Sequence, residues 1–128
     1  MSSLIIESVC KQWGNTRALD GVSFTAEAGS LVVLLGPSGC GKSTLLRMIA
    51  GLDTPSAGRI LLGGADVTAL PPARRKLSMV FQSYALFPHL SVRENLLFGL
   101  RVRGEPAREY PQRLARVASL LGLAPYLE

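Results

Sequence analysis

Long apolar runs are missing from this 128-residue sequence. The longest uninterrupted one, Leu31-Val32-Val33-Leu34-Leu35, is far short of the roughly 18 residues a membrane-spanning helix needs, and residues 1–20 show no signal-peptide pattern. Any membrane role would therefore come through a partner. Histidine occurs once, as His89, which excludes a multi-histidine metal site. Cysteine occurs twice, as Cys10 and Cys40, too far apart for a C-x-x-C redox or zinc pair. Two free thiols in a reducing cytosol are expected. Aromatic residues make up only 6%, and the lone Tyr110 among Arg101, Arg103, Arg108, Arg113 and Arg116 forms no aromatic platform. The formal net charge of +5 suits an anionic ligand, yet without a stacking platform these arginines read as a solvated face and not as a nucleic-acid surface. Hydrophobic content of 48% fits one small globular domain and excludes a disordered chain.

What is present is a phosphate-binding pattern. Gly36-Pro37-Ser38-Gly39-Cys40-Gly41-Lys42-Ser43-Thr44 matches G-x-x-x-x-G-K-[ST]. The apolar run Leu31–Leu35 leads into it and predicts a buried strand. A helix is expected to begin near Lys42 and run through Thr44-Leu45-Leu46-Arg47-Met48-Ile49-Ala50 to a stop at Gly51. Gly36, Gly39 and Gly41 let the backbone turn tightly and approach a ligand without a Cβ in the way. Successive N–H groups then form an anion nest, and the helix N-terminus adds its unpaired donors. In this pattern Lys42 reaches the β- and γ-phosphates, the Ser43 hydroxyl sits on Mg²⁺, and Thr44 contacts an inner phosphate. The expected ligand is a nucleoside triphosphate. A plain glycine turn would need neither the lysine nor the paired hydroxyls.

Strands are expected at Leu4–Val9, at Val22–Ala26, where apolar and polar residues alternate, at Arg59–Leu62 before the Gly63-Gly64 turn, and at Leu77–Phe81. Gly14-Asn15 and Asp20-Gly21 read as turns, with Lys11–Gly14 between two strands. Trp13, the only tryptophan, is either a core indole or an exposed platform for a nucleobase. Pro71-Pro72 ends local structure, and Arg74-Arg75-Lys76 reads as a basic cluster. Ser91-Val92-Arg93-Glu94 is a capping box that predicts a helix from Ser91 through Phe98. A break near Gly104-Glu105-Pro106 precedes a last amphipathic helix carrying Leu114, Val117, Ala118 and Leu121, with Pro111 in its first turn and Gly122 as its stop.

Trp13, the loop Gly36–Thr44, Leu52-Asp53-Thr54-Pro55-Ser56-Ala57-Gly58 and Met79-Val80-Phe81-Gln82-Ser83-Tyr84-Ala85-Leu86-Phe87-Pro88-His89-Leu90-Ser91-Val92 together resemble the N-terminal half of an ABC transporter ATP-binding subunit. Asp66–Pro72 with Arg74-Arg75 is similar to the importer branch serving sugars, polyamines or iron. The resemblance implies an α/β fold: a P-loop NTPase core with an N-terminal antiparallel β subdomain, over about residues 1–82, and a glutamine loop with the start of a helical subdomain, over about 83–128. It implies that Trp13 stacks on adenine and that Gln82 contacts Mg²⁺ and the attacking water. It also implies that Tyr84, Leu86 and Phe87 grip a membrane subunit, although as plain loop residues they could equally pack as core.

The implied cofactors are ATP and Mg²⁺. The implied partners are ABC transporter membrane subunits, a second nucleotide-binding domain in a homodimer or heterodimer, and indirectly a solute-binding protein, at the cytoplasmic face of the inner membrane. No nucleic-acid partner is implied. P-loop hydrolysis also uses a carboxylate at the end of a second apolar strand. Asp20, Asp53 and Asp66 are the only aspartates, and none ends such a strand. The family's Leu-Ser-Gly-Gly-Gln signature, Asp-Glu pair and late histidine are absent from these residues. The expectation is a truncated domain with open strand edges that holds Mg-ATP through Trp13, Lys42, Ser43, Thr44 and Gln82 with weak or no turnover. An interaction module and a small P-loop kinase or GTPase are the alternatives. No Asn-Lys-x-Asp motif or acceptor-binding lid supports the last.

Overall fold

The computed structural model describes residues 2–127. They divide into two compact units, 2–79 and 80–127.

The first unit is built on an antiparallel sheet in the order β2-β1-β3-β4, with β1 at Leu4–Trp13, β2 at Thr16–Ala26, β3 at Ala57–Leu62 and β4 at Ala65–Asp66. β1 is central. Ile6 pairs with Phe24 on one side and Ile60 on the other. A strictly alternating strand would put Ile6 and Val9 on opposite faces. Here the register shifts between Glu7 and Cys10 in one pairing and between Ile6 and Val9 in the other, with Ser8 at φ 47°. This bulge resets the phase, so Ile6, Val9 and Lys11 are all buried. Gly58 faces the bulge across the ladder at φ 89°, and a Cβ there would lie 2.5 Å from the Glu7 carbonyl oxygen. Glycine is needed at this close approach.

The helix α1, Lys42–Ala50, lays Leu45 and Met48 on the core of Ile6, Val9, Leu19, Ile60 and Val67. Fully burying each such side chain contributes about 1.5–3 kcal/mol. α1 ends at Gly51 (φ 81°), where the Gly51 N–H donates to Met48 O at 3.1 Å and the Leu52 N–H to Arg47 O at 2.9 Å. Beyond this glycine stop, Arg75 is buried and donates to four carbonyls: Met48 O (2.6 Å), Ile49 O (3.0 Å), Leu70 O (2.8 Å) and Thr68 O (3.0 Å).

In the second unit, α2 (Val92–Val102) and α3 (Tyr110–Leu120) pack through Leu97, Leu100 and Leu114, with Leu96, Tyr110 and Leu127 against them. Both halves of the capping box form: the Glu94 N–H donates to Ser91 Oγ at 3.2 Å, and the Ser91 N–H donates to a Glu94 carboxylate oxygen at 2.8 Å. Pro111 sits in the first turn of α3, and Gly122 (φ 65°) follows its end.

Four local expectations are corrected. Leu31–Leu35 and Leu77–Phe81 are not strands. An apolar run supplies the propensity, but a strand also needs a neighbour's N–H and C=O groups. The described sheet offers these segments none, and Leu31 and Leu35 are about nine-tenths exposed. Asp20-Gly21 is no turn: it lies inside β2, and Gly21 (φ 63°) marks an irregularity where its N–H donates to Cys10 Sγ at 3.1 Å. Lys11–Trp13 are the last residues of β1 and not a connection.

Candidate functional site

The loop Gly36–Gly41 joins an extended segment to the first turn of α1. Gly39 (φ 81°) and Gly41 (φ 95°) both hold left-handed backbone. At Gly41 a Cβ would meet Ala18 O at 2.5 Å and Leu19 Cδ2 at 2.7 Å, so the loop rests directly on β2. Gly36 has Cys40 Sγ where its own Cβ would be, at 2.6 Å.

Gly41 is the N-cap of α1 and brings no side-chain acceptor, and the first turn holds no acidic residue. The first intrahelical bond runs from Leu45 N–H to Gly41 O at 2.9 Å. The N–H groups of Lys42, Ser43 and Thr44 are therefore left for an outside acceptor, as every helix start leaves them unless capped. The Lys42 ammonium donates to Gly36 O at 2.6 Å and Pro37 O at 2.7 Å, and lies 3.4 Å from Cys40 Sγ. One cation, a run of unused N–H donors and a helix dipole thus converge on one loop, a combination suited to a phosphate. A cavity of about 230 Å³ lined by Leu19, Leu34, Cys40, Gly41 and Lys42, among others, is too small for a whole nucleotide.

Trp13 is about half exposed, which removes the core-indole alternative. Its cross-strand partner is Thr16, two residues before Ala18, the residue that Gly41 touches. At about 3.4 Å per residue that is an advance of about 7 Å along β2, so the indole and the loop share one end of the hairpin. Lys11, two residues back on the same face of β1, puts its ammonium 5.2 Å from the indole centroid. That ammonium also pairs with Asp53 Oδ1 at 2.7 Å and donates to Thr54 O at 2.6 Å. The Lys11 hydrogen bond holds the Asp53 carboxyl below its usual range.

Gln82 belongs to the other unit, in an exposed turn that includes Tyr84 and Ala85, both at positive φ. The following loop is tied to α2 by Asn95. Its Oδ1 accepts from the Phe87 N–H at 3.0 Å, and its amide nitrogen lies 3.2 Å from Phe87 O and 3.1 Å from Leu90 O. Phe87 turns back onto Phe98 with ring centroids 4.3 Å apart. Tyr84 and Leu86 stay more than two-thirds exposed.

Among the described residues, no cluster of three or more His, Cys, Asp or Glu side chains could hold a metal. Each aspartate already has a local partner: Asp20 pairs with Arg17 at 2.9 Å, Asp53 with Lys11, and Asp66 accepts from the Thr68 hydroxyl at 2.6 Å. The exposed Ser43 hydroxyl at the start of α1 fits a Mg²⁺ ion that takes its other oxygens from phosphate and water. Nothing in the sequence signalled the contacts that Lys11, Asp53 and Arg75 make within the first unit, or those of Asn95 within the second.

A G-x-x-x-x-G-K-S loop that opens directly into a helix is the phosphate-binding element of P-loop proteins, present here beside an antiparallel sheet. The chain belongs to the ABC transporter family, whose model matches residues 19–128. It is 51% identical over 121 residues to an Fe(3+) ions import ATP-binding protein of Rhizobium meliloti, covering 94% of this chain and 34% of that protein. It is 48% identical over 128 residues to an sn-glycerol-3-phosphate import ATP-binding protein of Ruegeria pomeroyi, covering 100% of this chain and 36% of the relative. Among solved structures, a nucleotide-free ATP-binding cassette from an ABC transporter superposes with a TM-score of 0.76 at 28% identity, over 99% of this chain and 56% of that one. The chain thus spans about a third of the length of these curated relatives. The family and fold expected from the sequence are those found. No helix of the described residues is long and apolar enough to cross a membrane.

Proposed function

We propose that this chain is the ATP-binding portion of an importer's energising subunit. The observation that carries the proposal is the uncapped start of α1 beside Lys42, on a loop where Gly36 and Gly41 leave no room for a Cβ. Lys42 would exchange its carbonyl partners for β- and γ-phosphate oxygens. Gly36, Pro37, Ser38, Gly39, Cys40 and Gly41 would wrap the phosphates with backbone, Ser43 would bind Mg²⁺, Thr44 would contact an inner phosphate, and Trp13 would stack on adenine. Mg²⁺, when bound, neutralises charge on the terminal phosphates. Gln82 would join the metal and water from the second unit. All described aspartates are engaged elsewhere, so turnover by these residues alone would be weak or nil, and hydrolysis would belong to the complete domain.

In that complete assembly the partners would be membrane subunits, a second nucleotide-binding domain and, indirectly, a solute-binding protein, at the cytoplasmic face of the inner membrane. The named iron and glycerol-phosphate importers support the import reading. A docking-only module is the second reading, favoured by the exposed Tyr84 and Leu86 on a loop held by Asn95. Titration of the chain with Mg-ATP, followed by Trp13 emission and by calorimetry, tests the proposal. Lys42→Ala should weaken binding by about tenfold or more, the scale of one charge-assisted contact. Unchanged affinity in Lys42→Ala, or equal affinity for a nucleotide and for adenosine, would overturn it. Capture of membrane subunits that survives Lys42→Ala, with no ATP binding, would establish the docking-only reading.

A further inference from the structure

We infer that Lys11 is a positioning residue for the nucleobase platform: clamped by Asp53 and Thr54, it holds its ammonium against one face of Trp13 and leaves the other face for the base. This rests on the reading that Trp13 stacks on the nucleotide.

Three observations carry it. Lys11 is buried although it is charged, with only 9% of its surface exposed, while Trp13 two residues on is 48% exposed. A lysine this deep in a strand is uncommon and needs partners. Its ammonium has three N–H donors. Two are used at short range, on Asp53 Oδ1 at 2.7 Å and Thr54 O at 2.6 Å, and the indole centroid lies 5.2 Å from the same nitrogen. The distance is within the range at which a cation is drawn to an indole face.

The clamp is itself rigid. Residues 53–57 run beside the end of β1: the Ser56 N–H donates to Cys10 O at 2.8 Å, the Gln12 N–H donates to Ser56 Oγ at 3.1 Å, and Ala57 pairs with Cys10. The lysine therefore cannot follow the ring if the ring turns. A half-exposed indole at a strand end would otherwise sample several rotamers, and each must be given up when a base stacks on it. A cation fixed on one face selects one of them in advance. It also blocks that face, so a base approaches only from the other side.

The test uses the full chain with two probes, Mg-ATP and Mg-tripolyphosphate. The second carries the phosphates without a base. Variants are Trp13→Ala, Lys11→Met, Lys11→Arg and the double Lys11→Met/Trp13→Ala, each checked for folding by circular dichroism. Trp13→Ala should weaken ATP by about tenfold, the scale of one base–aromatic stack, and leave tripolyphosphate unchanged. Lys11→Met should weaken ATP by about threefold, leave tripolyphosphate unchanged and shift Trp13 emission without nucleotide, whereas Lys11→Arg should retain most of the affinity. In the double variant the Lys11 change should add nothing. If Trp13→Ala leaves ATP binding intact, the stacking reading itself fails. If Trp13→Ala weakens ATP but Lys11→Met does not, or if Lys11→Met weakens both probes alike or adds its full effect to Trp13→Ala, the positioning role is overturned. Should Lys11→Met not fold, Asp53→Asn releases the clamp and must reproduce the emission shift and the ATP-only loss, or the inference fails.

Discussion

Replacing Arg75 with methionine should cost the first unit about 3 kcal/mol. The guanidinium is 5% exposed and donates to the carbonyls of Met48, Ile49, Leu70 and Thr68. No carboxylate is among these partners, and burial lowers its pKa from the usual arginine value. Methionine keeps much of the volume and none of the donors. Met48 O retains a partner in the Gly51 N–H at 3.1 Å, so up to three carbonyls are left without their arginine donor. At about 1–3 kcal/mol for each buried acceptor left unsatisfied, the gross loss for three is about 3–9 kcal/mol. Relief from burying a charge offsets part of it, which brings the net to about 3 kcal/mol. For a unit of this size that is a fall in Tm of about 15 °C. Trp13 is the only tryptophan and lies in this unit, so its emission during urea or thermal unfolding reads the right transition. Arg75→Lys, with one ammonium unable to span four carbonyls, should fall between wild type and Arg75→Met. A loss below about 0.5 kcal/mol for Arg75→Met would show that water satisfies these carbonyls as well as arginine does, and would refute the reasoning.

Gly41→Ala should abolish ATP binding and lower stability by about 2 kcal/mol or more, because it adds left-handed strain to a contact of 2.5 Å with a backbone carbonyl that cannot swing away; calorimetric titration beside a urea curve checks both effects. Acid should destabilise the chain through Asp53, whose folded pKa lies below its unfolded value because Lys11 donates to it. Its contribution is complete above the unfolded carboxylate pKa of about 4 and is lost as pH falls through the lower, folded value. Urea midpoints at pH 6 and pH 3 should therefore converge more in Asp53→Asn than in wild type, and an equal acid loss in both would contradict the assignment.

What could be read from the sequence is what is satisfied within a few residues. The capping box closes between Ser91 and Glu94, the glycine stop of α1 between Arg47 and Leu52, and the Gly63-Gly64 turn between adjacent strands. The loop Gly36–Thr44 is of the same kind, since its shape is set by its own glycines and by the helix that follows. The bulge at Ser8 is not, because it is a property of two pairings at once and depends on a glycine 50 positions away, at Gly58. Lys11 and Asp53 are 42 residues apart, and Arg75 reaches back 27 residues to Met48. In composition, both Lys11 and Arg75 read as solvated cations.

The two missed strands fail for the same reason in reverse: Leu31–Leu35 has the local pattern, and the partner that would make it a strand is not among the described residues. This separates two kinds of evidence about the site. The phosphate cradle survives with its neighbouring segment unpaired, because Gly41 rests on β2 and α1 is anchored by Leu45 and Met48. On the proposed reading, phosphate binding would need only the first unit's antiparallel sheet and one helix. Hydrolysis would need a carboxylate at the metal, and each described aspartate is paired elsewhere, with Arg17, Lys11 or Thr68. On the proposed reading binding and turnover are separable in this chain, and the expected outcome is a measurable ATP affinity with negligible phosphate release; release at the rate of a complete domain would refute it.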